Sequence, residues 1–310
     1  VFGPVLLAAS RSDRMRRVVA AAPVTRPVVD RFVAGEALHP ALDTVRKLTA
    51  SGLDVTLDHL GEDVTDRATA QATRDAYLRL LETLRDDRLG PRAEVSVKLS
   101  AFGQALPDGG HDIALANVTE VAELASAIGT TVTLDMEDHT TVDSTLAVLA
   151  ELRRKHPQTG AVLQSYLFRT EDDARALAVA GSRVRLVKGA YKEPARVAFQ
   201  NKKDVDKAYV RALRTLFAGD GYPMVGSHDP RMIAIAQEFA ARYHRGSGSY
   251  EFQMLYGIRT AEQRRLADQG ERMRIYVPYG ADWYGYFMRR LAERPANLAF
   301  FLRSFVPAGR

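Results

Sequence analysis

Ala93-Glu94-Val95-Ser96-Val97-Lys98-Leu99 is the stretch whose reading decides the fold. Successive side chains on a strand point to opposite faces. Val95, Val97 and Leu99 therefore share one face, and Ser96 and Lys98 share the other. The next run, Thr131–Met136, repeats the pattern, with Val132, Leu134 and Met136 opposite Thr133 and Asp135. The same alternation recurs in Asp54–Leu57, Arg183–Val187 and Arg274–Val277, where apolar residues oppose Thr56, Arg185 and Tyr276, and Asp58 follows the first run on its polar face. Ala161–Leu167, Pro223–Ser227 and Tyr250–Leu255 bring the strand-like runs to eight.

Long amphipathic segments separate these runs, among them Asp66–Arg85, Ile113–Ile128, Thr141–His156 and Asp204–Phe217. Eight strands alternating with helices is the count of a closed parallel (βα)8 TIM barrel. An open doubly wound sheet would show fewer strands and a Gly-rich first turn, and no G-x-G-x-x-G occurs here. Residues 1–50 read as an N-terminal helical arm punctuated by Pro23, Pro27 and Pro40, and residues 51–310 as the barrel. Outer helices demand the apolar strand face, so the polar face points inward. Buried charge is costly unless paired or ligated. Charged groups near the strands' C-terminal ends, where barrel enzymes keep their active sites, imply a ligand site.

The 310 residues include 43 Lys plus Arg against 38 Asp plus Glu, and no cysteine. The missing thiols exclude disulfides, thiolate metal sites and cysteine nucleophiles. The charges are dispersed, without the basic stripe and interleaved aromatics of a nucleic-acid binder. No apolar run approaches the ~18 residues of a membrane span. The opening Val1–Ala9 is short, lacks a basic start and does not read as a signal peptide. The cluster Arg11–Arg17, followed by Val18 and Val19, reads as a solvated helix, with a basic amphipathic membrane contact as the alternative.

Lys98 and Asp135 fall on the inward face of neighbouring strands, either as a buried ion pair or as a cation for a substrate anion steadied by the carboxylate. A strand-end lysine also permits Schiff-base chemistry. Asp135-Met136-Glu137-Asp138-His139 offers Asp135 and Glu137 to magnesium, but it lacks a zinc spacing, and no catalytic metal is expected. Arg185 is a donor for a heteroaromatic nitrogen or a partner for an interior carboxylate. Gly189, after Lys188, lets the backbone approach a bound ring. Ser227-His228-Asp229-Pro230 opens a helix in a manner suited to phosphate. In the last helix, Tyr284–Glu293, the residues Tyr286, Arg289, Arg290 and Glu293 share one face. Two arginines there can clamp a carboxylate, or Arg289 can simply pair with Glu293.

Several runs together resemble the proline dehydrogenases, whether standalone enzymes or domains of bifunctional proline-catabolic proteins. They are Val97-Lys98-Leu99-Ser100, Leu134-Asp135-Met136-Glu137, Leu163-Gln164-Ser165-Tyr166, Arg185-Leu186-Val187-Lys188-Gly189-Ala190-Tyr191, Glu251-Phe252-Gln253-Met254-Leu255, Arg274-Ile275-Tyr276-Val277-Pro278 and Tyr286-Phe287-Met288-Arg289-Arg290-Leu291. The resemblance implies a distorted barrel with the last helix over its mouth and FAD bound non-covalently there. The implied reaction is oxidation of L-proline to Δ1-pyrroline-5-carboxylate, the first step of proline catabolism to glutamate.

By matching position, Lys98, Arg289 and Arg290 would hold the substrate carboxylate. Tyr276, Tyr286, Ala190, Tyr191 and Leu255 would pack around the ring, and Asp135 would support the site. Arg185 would lie by flavin N5 and Gln164 at the flavin edge. Val187, Lys188, Gly189, Ala190, Ser227, His228 and Glu293 would line the rest of the FAD. The resemblance further implies a membrane quinone as electron acceptor, a cytoplasmic protein held peripherally at the inner membrane face, and a separate pyrroline-5-carboxylate (glutamate semialdehyde) dehydrogenase downstream. Two rival readings stand beside it: a Schiff-base aldolase or lyase using Lys98, and a non-catalytic barrel that binds a carboxylate.

Overall fold

The computed structural model describes residues 26–293. Eight strands alternate with helices: β1 (Asp54–His59), β2 (Ala93–Val97), β3 (Val132–Leu134), β4 (Gly160–Gln164), β5 (Arg183–Val187), β6 (Tyr222–Gly226), β7 (Glu251–Leu255) and β8 (Met273–Tyr279). They form one closed barrel in sequence order, every pairing parallel, and β8 returns to β1 through Asp54↔Arg274 to His59↔Tyr279. The helices are α1 (Leu38–Ala50), α2 (Arg67–Asp86), α3 (Gly110–Ala127), α4 (Val142–Arg153), α5 (Thr170–Leu177), α6 (Lys202–Ala218), α7 (Pro230–Arg242), α8 (Thr260–Asp268) and α9 (Trp283–Glu293).

Strands β2, β3 and β4 are shorter than their alternation predicts, because the chain turns at the barrel mouth. Leu99–Phe102 coils into a 3-10 turn directly after Lys98. The Leu167 amide folds back onto the Gln164 carbonyl at 3.1 Å. Asp135 still donates its amide to Val97 at 2.8 Å, so its side chain keeps the inward register of the strand before it.

The outward strand residues Val55, Leu57, Val95, Val97, Leu134, Val184, Leu186, Ile275 and Val277 pack with the helices in one continuous core. Helix α1 joins that core through Ala41, Leu42 and Val45 and covers β1 and β8, the place a helix following β8 would take. The final helix α9 packs instead in a separate cluster, where Trp283, Phe287 and Leu291 meet Val28, Phe32 and Val33. Trp283 also donates to Glu36 at 3.0 Å, and Gly280 to the Gly35 carbonyl at 3.0 Å. Residues before β1 thus hold the helix that follows β8. Val1–Ala9, the Arg11–Arg17 cluster, Pro23 and the side chain of Glu293 lie outside the described residues.

The interior is charged well below the mouth. Glu94 pairs with Arg183 at 2.7 Å, Glu251 with Arg274 at 2.8 Å, and Asp54 with Arg92 at 2.6 Å and Arg272 at 2.7 Å. Burial alone would raise the Glu94 pKa, but Arg183, Arg274 and Arg185 outweigh it and bring it down to about 2. The ions of the two buried pairs, Glu94–Arg183 and Glu251–Arg274, would each cost several kcal/mol to bury alone. Paired, they fill the volume that branched aliphatics fill in most barrels of this kind.

Candidate active site

A cavity of about 750 Å³ opens at the C-terminal ends of the strands, a size typical of small-molecule and cofactor sites. Strand ends supply its floor with Lys98, Asp135, Arg185 and Tyr276, and α9 contributes Tyr286, Arg289 and Arg290. Gln164 and the segment Val187–Tyr191 form one wall. Ser227, His228 and Leu255 form another. The alternation and motif readings therefore converge on one place, with the Glu293 side chain alone outside the described residues.

Several partners differ from those the spacing offered. Lys98 pairs with Asp58 of β1, not with Asp135, and its ammonium lies 2.9 and 3.1 Å from the two carboxylate oxygens. Burial opposes that charge, yet Asp58, then Asp135 and Glu62, hold the Lys98 pKa well above its ordinary value. Asp135 is taken instead by Arg185 Nη1 at 2.5 Å and the Tyr276 hydroxyl at 2.6 Å. Arg185 also stacks over the Tyr276 ring at 5.2 Å and donates through Nε to Gln253 at 2.5 Å. Burial, then the Asp135 and Asp58 charges, push the Tyr276 phenol well above its normal range, so it stays a donor.

Arg289 pairs with Glu62, from the loop after β1, at 2.5 Å. Arg290 lies over the Tyr286 ring at 5.0 Å. Glu137 turns away from Asp135 to accept from the Ser100 amide at 3.0 Å and its hydroxyl at 2.5 Å. The two carboxylates that sequence spacing offered to magnesium thus serve different partners. His139 packs its ring and its amide against Glu193.

At the other end, Lys188 bridges Asp206 at 2.5 Å and Asp229 at 2.9 Å. Arg231 first, and Lys188 after it, pull the Asp229 carboxyl well below its normal range against burial. Asp229 also caps α7 by accepting from the Arg231 amide at 3.1 Å. His228 Nε2 accepts from the Leu255 amide at 2.9 Å, which fixes its proton on Nδ1. Lys202 and Arg259 complete a cationic rim there that the motifs did not single out.

A family model for proline dehydrogenase matches residues 41–303. The chain belongs to the proline dehydrogenase family. Proline dehydrogenase 2 of Bacillus subtilis is 38% identical over 276 residues, covering 89% of each chain. Proline dehydrogenase of Deinococcus radiodurans is 40% identical over 283 residues, covering 90% of each. The bifunctional protein PutA of Escherichia coli is 27% identical, and the match spans 26% of its length. Among solved structures, PutA from Bdellovibrio bacteriovorus inactivated by N-propargylglycine superposes with a TM-score of 0.81 at 24% identity, over 100% of this chain and 40% of that one. That likeness concerns the fold alone, the closed barrel described above.

Sequence reading missed Asp58, Glu62 and Gln253 as partners of the cavity's cations. Asp58 and Gln253 carry the period-two signal of their strands, but Glu62 sits in a loop with no pattern to reveal it.

Proposed function

We propose that the chain oxidises L-proline to Δ1-pyrroline-5-carboxylate at this cavity, with FAD as cofactor. The observation that carries the reading is the distribution of charge. Lys98, Arg289 and Arg290 line one part of the cavity, and Arg185 and Gln164, both buried, line the floor and wall. A carboxylate suits the first group, through charge-assisted hydrogen bonds. A planar ring rich in acceptors suits the second.

The donor set fits FAD. Arg185 and Gln164 set N–H groups at the cavity's floor and wall, and Asp135 and Gln253 hold the Arg185 guanidinium in place. Lys188, Lys202 and Arg259 stand with Ser227 and His228 by the first turn of α7, and a helix N-terminus with cations suits a pyrophosphate. Bound there, FAD supplies the two-electron acceptor for hydride, chemistry no side chain provides.

The chain's own residues position and polarise. Lys98, Arg289 and Arg290 anchor the carboxylate, and Tyr276, Tyr286, Tyr191, Ala190 and Leu255 confine the ring. Orientation of this kind lowers a barrier by several kcal/mol. Proline reacts as its neutral amine: the ring nitrogen's lone pair forms the C=N bond as hydride leaves C5, and the N–H proton passes to solvent. Arg185, held by Asp135 and Gln253, offers fixed positive charge where negative charge develops. Lys98 is kept protonated by Asp58, which suits an anion anchor and opposes the Schiff-base reading, since that chemistry needs a neutral amine.

Electrons would pass from FAD to a membrane quinone, with peripheral attachment at the cytoplasmic face, and a separate dehydrogenase would take the product. No described helix is long and apolar enough to cross a membrane. In this reading residues 1–50 are an arm and residues 51–310 the catalytic barrel. The test is product formation from L-proline with FAD and an artificial electron acceptor. The cyclic imine should accumulate beyond one equivalent of the chain only when all three are present; its absence under every loading condition would refute the proposal.

A further inference from the structure

Tyr166 stands behind the cavity wall, not in it, yet it touches two of the wall's working parts. Its ring lies against Gly189, where an added Cβ would come within 2.5 Å of three ring atoms. Gly189 adopts φ of +116°, which lets the backbone pass that ring. The Tyr166 hydroxyl accepts from the Tyr191 amide at 3.3 Å and lies 3.2 Å from Gln164 Oε1 and 3.4 Å from Glu193 Oε1. Gln164 Nε2, at its other end, lies 2.7 Å from the Glu137 carbonyl. A carbonyl only accepts, so the amide must present nitrogen there and oxygen to the phenol. Burial first, then Glu193, raises the phenol's pKa, so the hydroxyl remains protonated.

We propose that Tyr166 is a positioning residue that locks the Gln164 carboxamide as a hydrogen-bond donor toward the cavity and pins the Gly189–Tyr191 backbone beside it. One Gln164 N–H goes to Glu137, and the second is left for the ligand. The group opposite Gln164 must therefore be an acceptor, a ring carbonyl or an unprotonated ring nitrogen. This inference rests on the flavin reading of the same cavity. It assigns the role to a residue that makes no ligand contact. Glu193, which holds the His139 amide at 2.9 Å, anchors the far side of the same cluster.

The test uses the full chain and FAD. Tyr166→Phe keeps the ring against Gly189 and removes only the hydroxyl. Flavin Kd, measured by fluorescence quenching, should rise about tenfold, the scale of one to two lost buried hydrogen bonds, and the bound flavin's visible band should shift. Gln164→Glu replaces the donor by acceptors and should weaken binding further than Tyr166→Phe does. In a Gln164→Ala background, Tyr166→Phe should change Kd at least threefold less than it does in the wild type. A lower melting temperature for Tyr166→Phe with unchanged Kd and spectrum would mean a purely structural tyrosine and would overturn the proposal. Equal effects of Tyr166→Phe in both backgrounds would do the same. A wild-type chain that binds no FAD would sink this proposal and the flavin reading together, an outcome distinct from the other two.

Discussion

Replacing Lys98 by methionine should separate what this residue does for the fold from what it does for the ligand. The Asp58 and Lys98 side chains are 2% and 10% exposed, so the pair is buried. Removing one partner of a buried pair leaves an uncompensated charge and costs about 3–5 kcal/mol. At roughly 2 °C per kcal/mol for a domain of this size, the unfolding midpoint of Lys98→Met should fall by about 6–10 °C. Adding Asp58→Asn removes the stranded anion, and the double variant should regain most of that loss, because replacing both charges of a buried pair is often neutral. Binding should not recover with it. Loss of a charge-assisted bond to the substrate carboxylate is worth about 1.5–3 kcal/mol, or about 10- to 150-fold in KM for proline, in single and double variants alike. Thermal unfolding followed by circular dichroism reads the first quantity, and steady-state kinetics read the second. A double variant as unstable as Lys98→Met would refute the pairing argument. A double variant with wild-type KM would show that Lys98 only neutralises Asp58.

Other positions give sharp expectations. Gly189→Ala combines left-handed backbone strain with overlap on the Tyr166 ring; it should destabilise the chain by about 2–4 kcal/mol in chemical denaturation and weaken flavin binding. Glu94, whose pKa is held down at about 2 by Arg183, Arg274 and Arg185 against burial, stabilises the fold above the usual carboxylate pKa. That contribution is lost as pH falls from about 4.5 toward 2, and unfolding midpoints measured against pH should be flatter over this window in Glu94→Gln. Tyr286, buried on α9 and lining the cavity, should exclude a ring hydroxyl; Tyr286→Ser should raise KM for proline and improve turnover of hydroxyproline, and unchanged kinetics for both would contradict this.

Much of the barrel was legible because period two is a strong signal when one strand face carries charge. Ser96 and Lys98 opposite Val95 and Val97 placed the interior and the mouth from sequence alone. The same alternation contained Glu94, Arg183, Glu251 and Arg274, whose inward positions form the deeper charge layer. Alternation gives the face of a strand but not which flanking strand a long side chain reaches. Lys98 stands between Asp58 on one side and Asp135 on the other, and only the packed structure shows it paired with Asp58. Partners distant in the chain left no trace: Arg289 and Glu62 are 227 residues apart, and nothing local signals their pairing. Nor does any periodicity show that Phe32 and Val33 pack under α9. Tyr166 falls in the run Ala161–Leu167 and in the matching run Leu163–Tyr166, but the strand ends at Gln164 and neither reading gave Tyr166 a role.

The most direct test of the central claim is an anaerobic visible spectrum of the FAD-loaded chain, before and after addition of L-proline. The account predicts an oxidised flavin band that bleaches with proline, and bleaches far less at the same proline concentration in Lys98→Met. A flavin band that stays oxidised at saturating proline would contradict it.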